Sequence, residues 1–248
     1  MKTIGFVPKQ LFRLLSYLII LCIMNQNCKS QAGNQTDFEK QREYMINTQI
    51  KSRGIKDKKV LEAMLKVERH KFVPEESKDL AYKDHPLSIG EGQTISQPYI
   101  VALMTEILKL DSTKNVLEVG TGSGYQAAVL GEICNKVYSI EIVKILGERA
   151  KTLLSKLGYK NINVKIGDGY KGWEEHAPFD AIIVTCAPTH IPEPLKEQLA
   201  EGGKMIIPVG GSFVQELVLL TKKNGKIIEK NVISVRFVPM VKDNGLVY

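Results

Sequence analysis

The stretch Asn115-Val-Leu-Glu-Val-Gly-Thr-Gly-Ser-Gly-Tyr-Gln-Ala-Ala-Val-Leu130 constrains this chain more than any other. Val116 to Val119 is a short apolar run that reads as a buried strand. Gly120, Gly122 and Gly124 follow at alternate positions, and the alanine-rich segment beyond Tyr125 reads as a helix. Strand, glycine loop and helix in that order open a nucleotide-binding α/β unit. Taken alone, the same glycines equally suit a tight turn under a helix.

The glycine spacing narrows the ligand. The dinucleotide fingerprint G-x-G-x-x-G needs a glycine where this chain has Tyr125. Glu118, at the end of the strand, would repel a pyrophosphate but not a cationic amino-acid end. S-Adenosylmethionine carries a sulfonium and an ammonium and no phosphate, and it meets both conditions.

A length of 248 residues suffices for one large α/β domain or two small ones. The net charge is +7, but bases and acids interleave, as in Lys56-Asp57-Lys58-Lys59. That pattern is a solvated surface and not a nucleic-acid stripe. The histidines, His70, His85, His176 and His190, have no metal-ligand spacing, so no metal is expected. Cys134 and Cys186 form no recognised motif and read as buried free thiols.

The first residues differ from the rest. Lys2, Lys9 and Arg13 precede an apolar run from Leu14 to Met24, as in a secretory signal peptide, and the run is short for a membrane span. Residues 1–32 are therefore expected to be a leader cleaved after Ala32, running into a polar linker. Cys28 is an alternative lipid-bearing position, against which the preceding Asn25-Gln-Asn counts, and Met24 is an alternative start. Export or a periplasmic location is expected, with the cytoplasm as the alternative. Membrane contact is expected only through this leader.

Residues 37–248 read as a single domain, with N-terminal helices and a loop over 37–98 and a sheet over 99–248. Thr36-Asp-Phe-Glu39 is a capping box for a helix running to about Arg53 and ended by Gly54. Asp57 starts a second helix. Asp84 to Tyr99 is a polar, glycine-containing stretch before a helix whose first turn takes Pro98, so Ser96 falls at or next to an N-cap. Strands are expected at Val116–Val119, Lys136–Glu141, Asn161–Ile166, Phe179–Cys186 and Gly203–Val209. Val214–Thr221 and Lys226–Phe237 follow, joined by the hairpin signal Asn224-Gly225. The fold class is thus α/β: a mostly parallel seven-stranded sheet with helices on both faces and an antiparallel C-terminal hairpin. Glu141 stands about twenty residues past the glycine loop, where an acid meets ribose hydroxyls.

Several segments together resemble one family. They are Arg69-His-Lys-Phe-Val-Pro74, Gly92-Gln-Thr-Ile-Ser-Gln-Pro-Tyr99, Leu117-Glu-Val-Gly-Thr-Gly-Ser-Gly-Tyr125, Gly167-Asp-Gly169, Pro178-Phe-Asp-Ala-Ile-Ile-Val184 and Arg236-Phe-Val-Pro-Met240. From about Gln41 to Pro239 the chain is similar to the protein-L-isoaspartate O-methyltransferases, Rossmann-like class I enzymes dependent on S-adenosylmethionine. The glycine loop is common to many methyltransferases, whereas Thr94-Ile-Ser-Gln-Pro98 is much more specific.

The resemblance implies methylation of the free α-carboxylate of L-isoaspartyl residues in damaged proteins and peptides, followed by spontaneous succinimide closure. It implies Ser96 as the catalytic residue, its hydroxyl donating to the carboxylate beside a helix N-terminus that favours negative charge. Gln93, Thr94 and Ile95 would shape the substrate loop. Glu118, Gly120, Gly122 and Gly124 would hold the methionine end, Glu141 the ribose hydroxyls and Asp168 the adenine amine, with Gly169 allowing close approach. Asp168-Gly169 alone also reads as a plain turn. Val101 and Val241 depart from the animal pattern, so contacts there are not carried over. A monomer without nucleic-acid partners is expected. The alternatives are a methyltransferase for another substrate and a non-catalytic binding protein that keeps the fold.

Overall fold

The computed structural model describes residues 37–211, 213–242 and 244–248, so the expected leader and linker lie outside the described residues. Among the described residues no helix is long and apolar enough to cross a membrane. Residues 37–44 form helix α1. A π-helical segment, Met45–Ile50, and a 3-10 turn, Lys51–Arg53, follow, and Gly54 ends them at φ 98° in the left-handed region. Helix α2, Lys58–Lys66, begins where expected, with the Asp57 side chain accepting from the Lys59 N–H.

The polar stretch before Pro98 is more ordered than the sequence suggests. It contains an antiparallel hairpin, β1 (Leu87–Gly90) and β2 (Gln93–Ile95). Its turn places Glu91 at φ 53° and Gly92 at φ 68°, the pair of left-handed residues that a tight hairpin demands. Helix α3, Pro98–Leu108, follows at once, with the proline in its first turn.

The main sheet has the order β5-β4-β3-β6-β7-β8-β9. Its members are β3 (Asn115–Val119), β4 (Lys136–Glu141), β5 (Ile162–Ile166), β6 (Phe179–Val184), β7 (Leu199–Gly210), β8 (Gln215–Lys223) and β9 (Lys226–Val235). The first five are parallel, and β8 and β9 add antiparallel on one edge. Asn224 and Gly225 both have positive φ, 53° and 71°, so the Asn-Gly turn forms as expected. Helices α4 (Tyr125–Ile133) and α5 (Lys144–Lys156) carry the chain outward from β3, while α6 (Glu193–Glu197) joins β6 to β7 on the other side. Right-handed crossovers put connections that run in opposite directions on opposite faces. Val116, Leu117, Ile182 and Ile183 on the central strands are wholly buried, as parallel strands covered on both sides must be.

This topology locates the ligand site. The strand order reverses at β3, with β4 on one side and β6 on the other. A crevice opens outside the carboxyl ends of the strands at such a point.

Candidate active site

A cavity occupies that crevice. Its wall comes from residues 93–96, which are the second hairpin strand and the residue after it, 119–123 of the glycine loop, 140–143 at the end of β4, Gly169, residues 185–186 after β6, and residues 238–241. Segments far apart in sequence thus meet at the tips of β3, β4 and β6.

The glycine loop is fixed by its backbone. The Gly120 and Thr121 N–H groups both donate to the Ile140 carbonyl, at 2.8 and 3.2 Å. Gly120, at φ 98°, has no room for a side chain, since a Cβ there would lie 2.5 Å from Thr185 Oγ1. The Thr185 hydroxyl donates to the carbonyls of Val119 (3.1 Å) and Gly120 (2.7 Å). Sequence reasoning missed this residue by running the β6 strand on to Cys186. A polar residue closing an apolar parallel strand at the switch point is the signal that marks it.

Glu141 joins the same wall and is 5 % exposed. Its Oε2 accepts from the Gly122 N–H at 2.7 Å and its Oε1 from the Val143 N–H at 2.9 Å. Desolvation raises its pKa above the usual carboxylate value, and these N–H groups oppose that. A carboxylate has about four acceptor positions, so roughly two remain for a ligand. Gly169 also lies in the wall, and a Cβ there would stand 2.3 Å from Val119 Cγ1. The loop after β5 can rest on β3 only with glycine at this place. A narrow glycine-lined cradle ending in a buried strand-end acid fits an adenosine-bearing cofactor without a pyrophosphate.

On the facing wall, Gln93, Thr94, Ile95 and Ser96 come together as expected. Ser96 falls next to the α3 N-cap, as expected. Gln97, not Ser96, is the N-cap of α3, and it makes no side-chain cap. Asp84 occupies that helix end instead. Its Oδ1 accepts from the Tyr99 N–H at 3.2 Å and its Oδ2 from Gln97 Nε2 at 2.8 Å, and Arg53 pairs with it at 2.7 Å. The positive end of α3 is therefore already matched by a carboxylate and is not reserved for a substrate anion. The Ser96 hydroxyl itself makes no hydrogen bond to any described residue, while its carbonyl accepts from Arg69 Nη2 at 2.8 Å. Val101 and Val241, the departures from the animal pattern, both line the cavity.

Three expected cofactor residues stand behind the wall instead of in it: Gly124, where a Cβ would meet Leu154 and Ala150 of α5, Glu118 and Asp168. Glu118 is wholly buried, and its Oε2 accepts from the Ser139 hydroxyl, which in turn meets the cavity residue Thr121. Burial pushes its carboxyl up to about 8, so the neutral acid is favoured at pH 7. This folded pKa lies above the unfolded value, so the penalty for ionising Glu118 grows as pH rises from about 4.5 to about 8. Glu118→Gln is accordingly expected to raise the melting temperature by several degrees at pH 9 and far less at pH 5. Thermal melts at the two pH values check this, and an equal change at both would contradict it.

Asp168 is similarly screened, its side chain 7 % exposed. Oδ1 accepts from the Tyr170 N–H at 3.0 Å, which realises the turn, and Oδ2 accepts from the Tyr248 hydroxyl. The Tyr248 ring stacks on Tyr170 with centroids 4.2 Å apart.

A sequence model described as protein-L-isoaspartate(D-aspartate) O-methyltransferase matches residues 40–245. The protein-L-isoaspartate O-methyltransferase of Geobacter metallireducens is 53 % identical over 210 residues, covering 84 % of this chain and 97 % of the relative. That of Opitutus terrae is 50 % identical over 230 residues, covering 92 % and 97 %. A solved protein-L-isoaspartate O-methyltransferase superposes with a TM-score of 0.76 at 32 % identity, over 82 % of this chain and 67 % of the other. A Plasmodium falciparum protein assigned as a protein-L-isoaspartate O-methyltransferase, solved with S-adenosyl-L-homocysteine, superposes at 0.71 and 32 % identity over 81 % and 98 %. The specific loop around Ser96, the glycine cradle and a match from residue 40 to residue 245 coincide: the chain belongs to the protein-L-isoaspartate(D-aspartate) O-methyltransferase family.

Proposed function

We propose that this protein transfers a methyl group from S-adenosylmethionine to the free α-carboxylate of L-isoaspartyl residues in damaged proteins and peptides, opening their repair through a succinimide. The observation that carries this reading is a single cavity with the Ser96 loop on one wall and the glycine loop with Glu141 on the other. The cofactor, when bound, supplies the electrophilic methyl group. The substrate carboxylate is ionised near neutral pH, so the chain needs no strong general base. Its task is to hold one carboxylate oxygen in line and to keep water out. Ser96 donates its uncommitted hydroxyl to the carboxylate, and Gln93, Thr94 and Ile95 shape the loop that presents it. Ile95, Val101, Val119 and Met240 make the surrounding wall apolar. On the cofactor side, Gly120, Gly122 and Gly169 give close backbone approach, Gly124 lets the start of α4 pack on α5, and Glu141 accepts from the ribose hydroxyls. Glu118 acts from behind, through Ser139 and Thr121.

Asp168 accepts from the adenine amine in this reading, yet Tyr248 already donates to it. Tyr248→Phe is expected to tighten S-adenosyl-L-homocysteine binding by about threefold, since one competing neutral donor is removed. Calorimetric titration checks this, and weaker binding would contradict it.

The reaction is tested by transfer of labelled methyl to an isoaspartyl peptide and to its aspartyl twin. Labelling of the isoaspartyl peptide alone is expected, and equal transfer to both, or to neither, overturns the proposal. We also propose that the chain works as an exported or periplasmic monomer, with no nucleic-acid partner and with the leader as its only membrane contact. Mass measurement of the mature N-terminus tests the export, since an uncleaved leader would oppose it.

A further inference from the structure

Arg69 heads the largest side chains that are wholly removed from solvent, at 0 % exposure. It opens the 3-10 turn Arg69–Phe72 that follows α2. Removing a guanidinium from water is costly, and here desolvation lowers its pKa from 12.5 to about 10, which leaves it charged at neutral pH. Among the described residues no carboxylate pairs with it directly. Its Nε–H donates to the Ala81 carbonyl at 2.7 Å, and Nη2–H donates to the Ser96 carbonyl at 2.8 Å. The guanidinium carbon lies 4.8 Å from the centroid of the Tyr125 ring. Tyr125 is 1 % exposed and opens α4 directly after Gly124. Phe72, from the same turn as Arg69, meets that ring edge-on, with centroids 5.6 Å apart. Nη1 and the Tyr125 hydroxyl are buried without a hydrogen bond of ordinary geometry, and each is an electrostatic neighbour of the other.

One buried cation therefore touches both walls of the cavity: the main chain of Ser96 on one side and the first residue of the glycine-loop helix on the other. Holding the N-terminal segment in place would not require this. The Ala81 contact and the apolar packing of Phe72 already do so, and a buried charge is often replaceable by apolar packing without loss of stability. What the second donor adds is a fixed main-chain direction at Ser96, the residue whose hydroxyl bonds to no described residue.

We propose that Arg69 is a positioning residue for methyl transfer: by gripping the Ser96 carbonyl while resting on Tyr125, it sets the direction of the Ser96 hydroxyl relative to the cofactor wall. The proposal rests on the assignment of Ser96 given above. It acts through Ser96, so it governs turnover and leaves cofactor affinity alone. Lysine is a poor substitute, because its single ammonium cannot span two carbonyls as the planar guanidinium fork does.

The test compares Arg69→Lys, Arg69→Met, Ser96→Ala and the double variant Arg69→Lys/Ser96→Ala. Thermal melts, Kd for S-adenosyl-L-homocysteine and steady-state kinetics on an isoaspartyl peptide are measured for each. Arg69→Lys is expected to keep its cofactor Kd within about threefold and to lose roughly 10- to 30-fold in kcat with little change in KM, the pattern of a lost transition-state alignment. In the Ser96→Ala background the same change should cost less than about twofold, because residues acting through one route are not additive. If Arg69→Met fails to fold, Arg69→Lys decides alone. Unchanged kcat in Arg69→Lys, a full multiplicative loss in the double variant, or failure of both single arginine variants to fold overturns the proposal. If Ser96→Ala keeps full turnover, the assignment of Ser96 fails and this inference with it. If Ser96→Ala is impaired and Arg69→Lys is not, only the inference fails.

Discussion

Replacing Ser96 by alanine is expected to lower kcat by roughly 10²- to 10³-fold, the usual loss when one donor to a reacting oxyanion is removed. The Kd for S-adenosyl-L-homocysteine should stay within about threefold of the parent value, because no cofactor group is assigned to this hydroxyl. The size of the effect follows from the surroundings. The Ser96 hydroxyl has no partner among the described residues to release before it meets a substrate. The Tyr99 N–H at the α3 N-terminus does not replace it, since it already donates to the Asp84 carboxylate. A group that only bound the substrate would raise KM and leave kcat alone, whereas one that aligns the reacting oxygen lowers kcat. Single-turnover methyl transfer at saturating peptide separates the two. Parallel loss of turnover and cofactor affinity would contradict the assigned role.

The converse is expected at Glu141. Glu141→Ala should weaken cofactor binding by roughly 10²-fold or more, since hydrogen bonds to a charged acceptor contribute about 1.5–3 kcal/mol each. Two such bonds go to ribose in the proposed pose. The same carboxylate also accepts from Gly122 N–H at 2.7 Å and Val143 N–H at 2.9 Å, so its removal leaves two loop donors without their acceptor. Glu141→Gln keeps an acceptor for one of them and should recover part of the loss. At saturating cofactor the turnover of Glu141→Ala should return toward the parent value. Titration calorimetry with S-adenosyl-L-homocysteine measures this, and an unchanged Kd would sink the assignment.

What the sequence makes legible is what backbone geometry demands locally. Gly120, Gly122 and Gly124 adopt φ of 98°, 52° and 86°, which few other residues tolerate, so their spacing reports the loop directly. The Asn224-Gly225 turn is read for the same reason. Glu141 is found because a strand-end acid at a set distance from the loop has a mechanical role. The hairpin of β1 and β2 escapes notice because Glu91, not asparagine or aspartate, takes the first left-handed turn position, and its strands span only four and three residues. The capping of α3 escapes it for a different reason: the group at the helix end is Asp84, fifteen residues from the N–H it accepts. Thr185 holds the Gly120 carbonyl across 65 residues, and Tyr248 reaches Asp168 across 80. Contacts of that range are set by the strand order and leave no periodic trace in the sequence. Glu118 shows the opposite limit. Its place in the motif is plain from the sequence, but its complete burial behind Thr121 and Ser139 is a property of the packed sheet.

A crystal structure of the protein with S-adenosyl-L-homocysteine and an isoaspartyl peptide bound bears on the whole account at once. The expected result has a peptide carboxylate oxygen within about 3.2 Å of Ser96 Oγ and the ribose hydroxyls on Glu141. A carboxylate held elsewhere with Ser96 turned away from it, or a cavity that takes a phosphate-bearing ligand in place of the nucleoside, would contradict it.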